Sequence, residues 1–413
     1  MFNNINNLSN KMDRTLNPYA PGAGIQPPAL VGRDKILEDA QIDMDRVLNG
    51  KPTRGMILLG LRGVGKTVLL NRLKAIADDK GYLTAKIEAP EGGKLPELLV
   101  PDLRRIMFSL DLKANAGDKV KRGMAALRNF GSAFKVAIGE IEIGMNPSPG
   151  VADTGNLEQD VPQLLLAVAE AAKERNSAIA IFIDELQYMS EKELAAIVVA
   201  CHEIAQKNLP FYFVGAGLPQ IAALAGNAKS YAERLFQYPE VDKLPAEAAK
   251  EALVVPAQKE GVEFEEEAID EILRVTERYP YFIQEWGANV WNYAQQSPIA
   301  KRDVDDATPG IITHLDKNFF RVRFDRLTVL QQKYLRAMAE LGPGPYKTGD
   351  IAVTLGVDTA STVATARQQL INKGMVWSQR HGETAFTVPL FDKFMKRQIP
   401  ILEKHVPKRR VGR

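Results

Sequence analysis

Hydrophobic positions along this chain form short apolar runs that are separated by longer stretches with helical spacing. The runs predict buried strands, and the stretches between them predict amphipathic helices. Strands that alternate with helices indicate an α/β fold with a parallel sheet. The predicted strands cover residues 55–59, 82–89, 178–183 and 209–217. The predicted helices cover about residues 34–48, 68–81, 95–112, 157–176 and 191–207. An alternating stretch with Gly139 at its centre, residues 135–145, predicts a strand pair or a bulged strand.

The pattern also divides the chain into parts. Residues 1–29 are rich in Asn, Pro and Gly and predict a disordered or extended leader. Residues 30–244 hold the predicted strands, and residues 245–315 have helical spacing throughout. Residues 316–395 predict three helices followed by two strands, which is the order of a winged helix-turn-helix. Residues 396–413 form a basic tail.

A glycine-rich sequence, GLRGVGKT at residues 60–67, lies between the first predicted strand and a predicted helix. It fits the phosphate-binding P-loop, G-x-x-x-x-G-K-[ST], in the strand–loop–helix context that this motif requires. The glycines let successive N–H groups face phosphate oxygens at the positive end of the helix. Lys66 is predicted to reach the terminal phosphates of ATP, and the Thr67 hydroxyl to bind Mg²⁺. The candidate nucleotide-binding residues here are Gly60, Leu61, Arg62, Gly63, Val64, Gly65, Lys66, Thr67 and Val68.

Two acidic residues, Asp184 and Glu185, follow the apolar run of residues 178–183. An apolar strand that ends in acids is the Walker B pattern. A parallel sheet carries such residues to the edge where the P-loop lies. Asp184 is then predicted to hold Mg²⁺, and Glu185 to act as the general base for the attacking water. The alternative is that the two acids only cap the following helix.

Composition narrows the class of protein. The 413 residues are 45% hydrophobic and 25% charged, which is typical of a soluble globular protein. The longest apolar run is about eight residues, whereas a transmembrane helix needs ~20, so no membrane partner is predicted. A single cysteine fits a reducing compartment, and we expect a cytoplasmic location. The net charge of +2 is uneven, because residues 390–413 contain eight Lys or Arg and two acids.

The order of several motifs resembles that of AAA+-type ATPases. These motifs are LVGRD (30–34), GLRGVGKT, IFIDELQYM (181–189), GAGLP (215–219) and YAERLF (231–236). The chain is most similar to origin-recognition initiator ATPases and the related STAND and archaeal ATPases, and it also resembles a group of bacterial ATP-binding proteins. The resemblance covers about residues 29–390. It implies a P-loop NTPase core with a parallel sheet, a helical lid domain and a C-terminal winged helix, with ATP and Mg²⁺ as cofactors.

The resemblance also assigns residues outside the two motifs. It implies that Val31, Gly32 and Arg33 contact the adenine base and that Pro280 packs near the nucleotide. It implies a nucleotide-dependent homo-oligomer, in which Arg234 acts on the γ-phosphate bound by a neighbouring subunit. The alternative for Arg234 is an ion pair within its own chain, with Glu233, Glu240 or another acid.

The chain departs from these ATPases at two places. Their fourth strand usually ends in a polar residue that senses the γ-phosphate, whereas residues 215–217 here are Gly-Ala-Gly. Their lid usually carries a sensor arginine, whereas residues 279–284 here read YPYFIQ, as in STAND proteins. Both departures leave nucleotide binding intact and favour slow turnover to ADP and phosphate.

The third helix predicted in residues 316–395 has one apolar face and one polar face. Hydroxyl, amide and guanidinium groups suit base edges and phosphates, so this face predicts binding to double-stranded DNA. Arg380 lies at the predicted wing tip, and the basic tail adds attraction to phosphate. The alternative is that the module contacts a protein. The candidate DNA-binding residues are Ser361, Thr362, Thr365, Arg367, Gln368 and Arg380.

Three functions are consistent with these observations. The first is an ATPase switch that couples its nucleotide state to DNA binding or assembly. The second is a STAND-like signalling or defence ATPase whose winged module contacts a protein partner. The third is a nucleotide-dependent transcription regulator with little turnover.

Overall fold

The computed structural model describes most of the chain and divides it into two compact units. We call residues 33–60 and 66–241 the sheet unit, and residues 1–32, 61–65 and 242–413 the helical unit. The described residues are 12–22, 24–111, 117–137, 150–342, 344–357, 359–378 and 382–402.

The sheet unit is built on a five-stranded sheet in the order β2-β3-β4-β1-β5. All of its paired strands are parallel. The four predicted strands are confirmed, and the short β5 pairs with β1 at the edge. Their side chains are almost all buried, because helices cover both faces of a parallel sheet. The strands are β1 (Gly55–Leu59), β2 (Leu83–Glu88), β3 (Ile179–Asp184), β4 (Phe211–Gly217) and β5 (Phe236–Gln237).

Eight helices are described in the sheet unit, and they include the five that the spacing predicts. Helices α4, α7 and α8 were not predicted. The strand predicted at residues 135–145 is not found where it can be checked: residues 135–137 follow α4 without forming a strand, and residues 138–145 lie outside the described part. The helices are α1 (Asp34–Leu48), α2 (Lys66–Asp79), α3 (Leu95–Asp111), α4 (Asp118–Ala133), α5 (Leu157–Glu174), α6 (Glu191–Gln206), α7 (Ile221–Ala228) and α8 (Ala232–Leu235).

The main body of the helical unit is built of helices, as the spacing of residues 245–315 predicts. Proline at the first position starts α11, where its missing N–H is not needed. The helix α12 continues through a π-helical turn, Asp316–Phe320, into the short α13. The helices are α9 (Ala246–Lys259), α10 (Glu266–Thr276), α11 (Pro280–Tyr293), α12 (Lys301–Leu315) and α13 (Arg321–Phe324).

The leader was predicted to be disordered or extended, and its described part packs on these helices. Tyr19 is only 6% exposed and donates its hydroxyl hydrogen to the carbonyl of Leu253. Its ring lies edge-on to Trp291, whose indole N–H donates to the carbonyl of Asp13 (2.9 Å). Gly287 provides the space, since a Cβ there would lie 2.8 Å from the Tyr19 ring. Composition alone misses this docking, because the groove is formed by residues far along the chain.

The last part of the helical unit has the predicted three helices and two strands, with one additional strand. The three strands form an antiparallel sheet in the order β6-β8-β7. A further helix, α17, covers residues that were assigned to the end of the module and the tail, and residues 403–413 lie outside the described part. We call residues 316–395 the C-terminal module. The elements are α14 (Val329–Glu340), β6 (Tyr346–Lys347), α15 (Thr348–Leu355), α16 (Ala360–Asn372), β7 (Val376–Trp377), β8 (Glu383–Phe386) and α17 (Phe391–Gln398).

No helix in the described part of the chain is long and apolar enough to cross a membrane.

Candidate nucleotide-binding site

The start of α2 carries the lysine and threonine of the P-loop sequence. Lys66 is 7% exposed, and its ammonium donates a hydrogen bond to the carbonyl of Gly60 (2.9 Å). The Thr67 hydroxyl donates to the Asp184 carboxylate (2.7 Å), although 117 residues separate them. The two groups that were predicted to share Mg²⁺ are therefore neighbours. Hydroxyl and carboxylate oxygens are the ligand types that Mg²⁺ prefers, so these residues fit the ion.

The turn of the P-loop, residues 61–65, belongs to the helical unit. Gly63 and Gly65 have φ values of 79° and 92°, a region in which residues with a Cβ are strained. This backbone is the reason that glycine is needed at both positions. Val64 between them is only 1% exposed, which anchors the turn.

Two other segments of the helical unit bind the turn through backbone atoms. The Arg62 N–H donates to the carbonyl of Thr387 (2.9 Å), which directly follows β8. The Tyr281 N–H, in the first turn of α11, donates to the carbonyl of Gly63 (3.2 Å). No sequence pattern indicates these partners, because a backbone hydrogen bond imposes no residue type.

The carboxylates of the Walker B pattern lie at the carboxyl end of β3. The strand order places β4 between β3 and β1, so the two motifs are not on adjacent strands. Glu185 has φ 56° and ψ 40°, and its N–H donates to the Asp184 carboxylate (2.9 Å). A non-glycine residue in this region is uncommon and concentrates at functional sites.

The structure contradicts the alternative that these acids cap the next helix. The Ser190 side chain caps α6, and Glu193 completes a reciprocal capping box with it. Neither Asp184 nor Glu185 therefore caps α6.

Packing explains why β4 ends in small residues. A Cβ at Gly215 would lie 2.5 Å from Leu186, and a Cβ at Gly217 would lie 2.8 Å from Ile221. A polar side chain on this strand has no room. Instead, the side chain of Gln187 lies at the end of β4. Its Oε1 atom accepts from the Leu218 N–H (3.1 Å), and its Nε2 atom donates to the Glu185 carboxylate. Sequence reasoning missed Gln187, and its position two residues after Glu185 was the only signal.

The residues that the resemblance assigned to base contact fall at the start of α1. Val31 is partly buried against the core of the helical unit. Gly32 has φ 69°, and a Cβ there would lie 2.8 Å from the Ala248 side chain. Arg33, in the sheet unit, is 8% exposed and immediately precedes α1. Pro280 is the first residue of α11, next to the Tyr281 N–H that binds the P-loop turn.

Arg234 lies exposed on α8. Among the described residues, no ion pair or side-chain hydrogen bond involves its guanidinium, so the predicted alternative of a pair with Glu233 or Glu240 is not found. Its role toward a neighbouring subunit stays a prediction.

The predicted DNA-binding residues are in two different situations. Ser361, Thr362, Thr365 and Gln368 lie exposed on α16. Arg367 does not, because its guanidinium donates to the Thr384 hydroxyl (2.9 Å), the Ser378 hydroxyl (2.8 Å) and the Glu383 carbonyl (3.1 Å). These bonds hold α16 to the β7–β8 hairpin, and the DNA contact of Arg367 stays a prediction. Arg380 lies outside the described residues.

Two family models match separate parts of the chain. Residues 29–214 match the family model described as the AAA ATPase domain. Residues 317–395 match a model described as a domain of unknown function. No curated protein matches the chain by sequence.

Solved structures include similar folds. A Walker-type ATPase of Pyrococcus abyssi has a TM-score of 0.50 and 16% identity, over 87% of this chain and 95% of its own. The Orc1 protein of Aeropyrum pernix, solved in complex with DNA, has a TM-score of 0.45 and 16% identity, over 91% and 94%. The RuvB Holliday junction branch migration motor of Thermotoga maritima has a TM-score of 0.45 and 17% identity, over 91% and 99%. The similarity to the Pyrococcus abyssi ATPase supports the fold alone. Residues 29–214 thus combine a P-loop sequence, a parallel sheet and a match to the model described as the AAA ATPase domain, to which this part of the chain is similar.

Proposed function

We propose that this protein is a Mg²⁺-dependent ATPase that acts as a switch, in which the nucleotide at the P-loop controls the C-terminal module. One observation carries the proposal. The turn of the P-loop is hydrogen-bonded through Arg62 and Gly63 to Thr387 of the C-terminal module and to Tyr281 of α11. A change in the turn when phosphate binds therefore acts directly on both segments.

The residues of the sheet unit supply the chemistry. Lys66 would hold the terminal phosphates, while Thr67 and Asp184 would hold the metal. When bound, Mg²⁺ neutralises charge on the phosphate oxygens. Glu185 would accept a proton from the attacking water, which is the role of a general base.

A chain of contacts within the helical unit leads from the turn of the P-loop to the C-terminal module. The Tyr281 ring stacks on Phe319 in the π-helical turn (4.8 Å between centroids), and its hydroxyl donates to Glu285 (2.7 Å). Burial, followed by this hydrogen bond, raises the pKa of Tyr281, so the hydroxyl stays a donor. Lys393 of α17 pairs with Glu277 (2.6 Å), just before α11. Nucleotide-dependent movement of α11 would therefore be felt in α17.

We propose that the output of the switch is DNA binding together with assembly into a homo-oligomer. The polar outer face of α16 supports the first, because exposed hydroxyl and amide groups suit base edges. The exposed guanidinium of Arg234 supports the second. The alternatives are a protein partner for the C-terminal module, as in a STAND-like ATPase, or transcription control with little turnover.

We expect the full-length protein to bind duplex DNA with an affinity that differs about tenfold between Mg·ADP and a slowly hydrolysed ATP analogue. A ligand shifts such an equilibrium only by its differential affinity for the two states. DNA titrations at several salt concentrations would measure this, with light scattering on the same samples to report the mass. Phosphate release from Mg·ATP would be measured in parallel.

Variants separate the possible outputs. Gln368→Ala is expected to relax sequence preference by ~1–3 kcal/mol without changing the salt slope. Removal of residues 405–413 deletes four cations and is expected to make the slope shallower, by up to ~0.9 for each phosphate that is no longer neutralised. Arg367→Ala should lower the stability of the C-terminal module, because the hydrogen-bond partners of Arg367 are in that module.

Equal DNA affinity and equal mass in both nucleotide states would contradict the switch. A nucleotide-dependent mass without DNA binding would favour the protein-contact alternative.

Mixing two inactive variants is expected to restore part of the ATPase activity if Arg234 acts across a subunit boundary. Arg234→Ala protein keeps its own P-loop, and Lys66→Ala protein keeps its arginine, so a mixed interface combines an intact P-loop with an intact arginine. Arginine contacts of this kind are worth about 10³–10⁵ in rate. Phosphate release would be followed as the two variants are titrated against each other.

The matched control is Arg54→Ala, since Arg54 is exposed just before β1, at the opposite end of the strand from the P-loop. That variant should keep wild-type activity by itself. Mixtures that co-assemble by light scattering and yet recover nothing would rule out a trans-acting arginine.

A further inference from the structure

Gln187 links the proposed general base to the end of a neighbouring strand. It lies in the short 3-10 turn Leu186–Tyr188, directly after Glu185. Its Nε2 donates to the Oε2 atom of Glu185, and its Oε1 accepts from the N–H of Leu218 (3.1 Å), the residue that follows β4. The side-chain amide of Gln187 therefore makes one hydrogen bond as donor and one as acceptor, and it links the Glu185 carboxylate to the carboxyl end of β4.

The backbone of Glu185 is held in place as well. It is in the left-handed region, with φ 56°, and its N–H is bonded to the Asp184 carboxylate (2.9 Å). Within the described residues, no donor reaches its other carboxylate oxygen, Oε1. The bond from Gln187 therefore fixes one oxygen and leaves the other to accept a proton.

The end of β4 is shaped to admit this amide. A Cβ at position 217 would lie 3.0 Å from the Gln187 Oε1 atom, so a larger residue would press on the amide. The carbonyl of Gly217 is also occupied, since it accepts from the Gly60 N–H at the start of the P-loop (3.1 Å). The connection from Glu185 through Gln187 thus ends on a segment that is itself bonded to the P-loop.

We propose that Gln187 is a positioning residue for ATP hydrolysis: it sets the orientation of the Glu185 carboxylate from the fixed end of β4. This rests on the proposed function, in which Glu185 is the general base. In this role Gln187 acts only through Glu185, to which its Nε2 donates. Its loss should therefore lower the rate of the chemical step and leave nucleotide binding unchanged.

The main test variant is Gln187→Met, which keeps the volume of the side chain and removes both hydrogen bonds. We expect its turnover of Mg·ATP to fall about 10- to 100-fold, because a misplaced catalytic group costs rate steeply. The dissociation constants for ATP and ADP should stay within about twofold of the wild type, as expected when only a transition-state contribution is lost. Gln187→Ala should give the same result. The matched control is Gln159→Met, at an exposed glutamine of α5 in the same unit, which should behave as wild type.

A double-mutant cycle distinguishes positioning from a general effect on folding. In a Glu185→Gln background the base is already absent, so adding Gln187→Met should reduce single-turnover hydrolysis by less than about twofold more. A structural role would instead multiply the two losses. Thermal unfolding of each variant would verify that the compared proteins are folded.

The outcomes separate the two levels of inference. Wild-type turnover in Gln187→Met, or a loss of nucleotide affinity in proportion to the loss of rate, would overturn the positioning role while the ATPase proposal stands. Multiplicative losses in the double variant would overturn it in the same way. Absence of hydrolysis in the wild type would overturn the proposed function, and the role of Gln187 with it.

Discussion

Lys66→Ala is expected to abolish tight binding of Mg·ATP. The ammonium is buried at the start of α2 and bonded to the carbonyl of Gly60, at the loop that would hold the phosphates. Removing one partner of a buried charge interaction costs about 2–5 kcal/mol, which is roughly 30- to several-thousand-fold in Kd. Calorimetric titration of the variant with Mg·ATP would measure the loss.

A second lysine on the same helix gives the control. Lys74 pairs with Asp78 at 2.7 Å, one turn away along α2, and is no part of the P-loop. Lys74→Ala should keep wild-type affinity for nucleotide. If Lys66→Ala bound Mg·ATP as tightly as the wild type while folded, the P-loop assignment would be wrong.

Glu185→Gln is expected to keep Mg·ATP binding and to lose most hydrolysis. The amide has nearly the size of the carboxylate, but it cannot accept a proton from water. General-base catalysis contributes about 10²–10⁴-fold, and the loss should fall in that range. Calorimetry would report binding, and single-turnover phosphate release would report the chemical step.

Glu191→Gln is the matched control, because Glu191 is an exposed acid in the first turn of α6, a few residues further along the chain. It should hydrolyse ATP as the wild type does. Wild-type turnover in Glu185→Gln would show that another group, or water alone, takes the proton. Glu185 would then not be the general base.

The local parts of the nucleotide site could be predicted from sequence because they depend on residue type and short spacing. A turn with left-handed backbone needs glycine, and Gly63 and Gly65 supply it where the chain passes from β1 to α2. The strand that ends in Asp184 is recognisable because six apolar residues precede it. The parallel sheet follows from the alternation of such strands with amphipathic helices.

The failures of prediction have a common physical origin. Tyr19 was assigned to a disordered leader, yet it is buried against Trp291 and Gly287, which lie far along the chain. The hydrogen bonds of Arg367 to hydroxyl groups on the hairpin were not predicted either. Composition and spacing describe a segment by itself, and both of these residues are placed by another segment.

Local sequence is enough to specify the P-loop turn, the acids at the end of β3 and the four long strands of the parallel sheet, because each depends on neighbours within a few residues. Which groups meet is set by tertiary packing instead. Packing placed β4 between the two motif strands and brought the Thr67 hydroxyl to Asp184. It also joined the turn of the P-loop to Thr387 and tied Gln187 to Glu185. Those contacts follow from strand order and close packing between distant segments, which no local pattern of residues specifies.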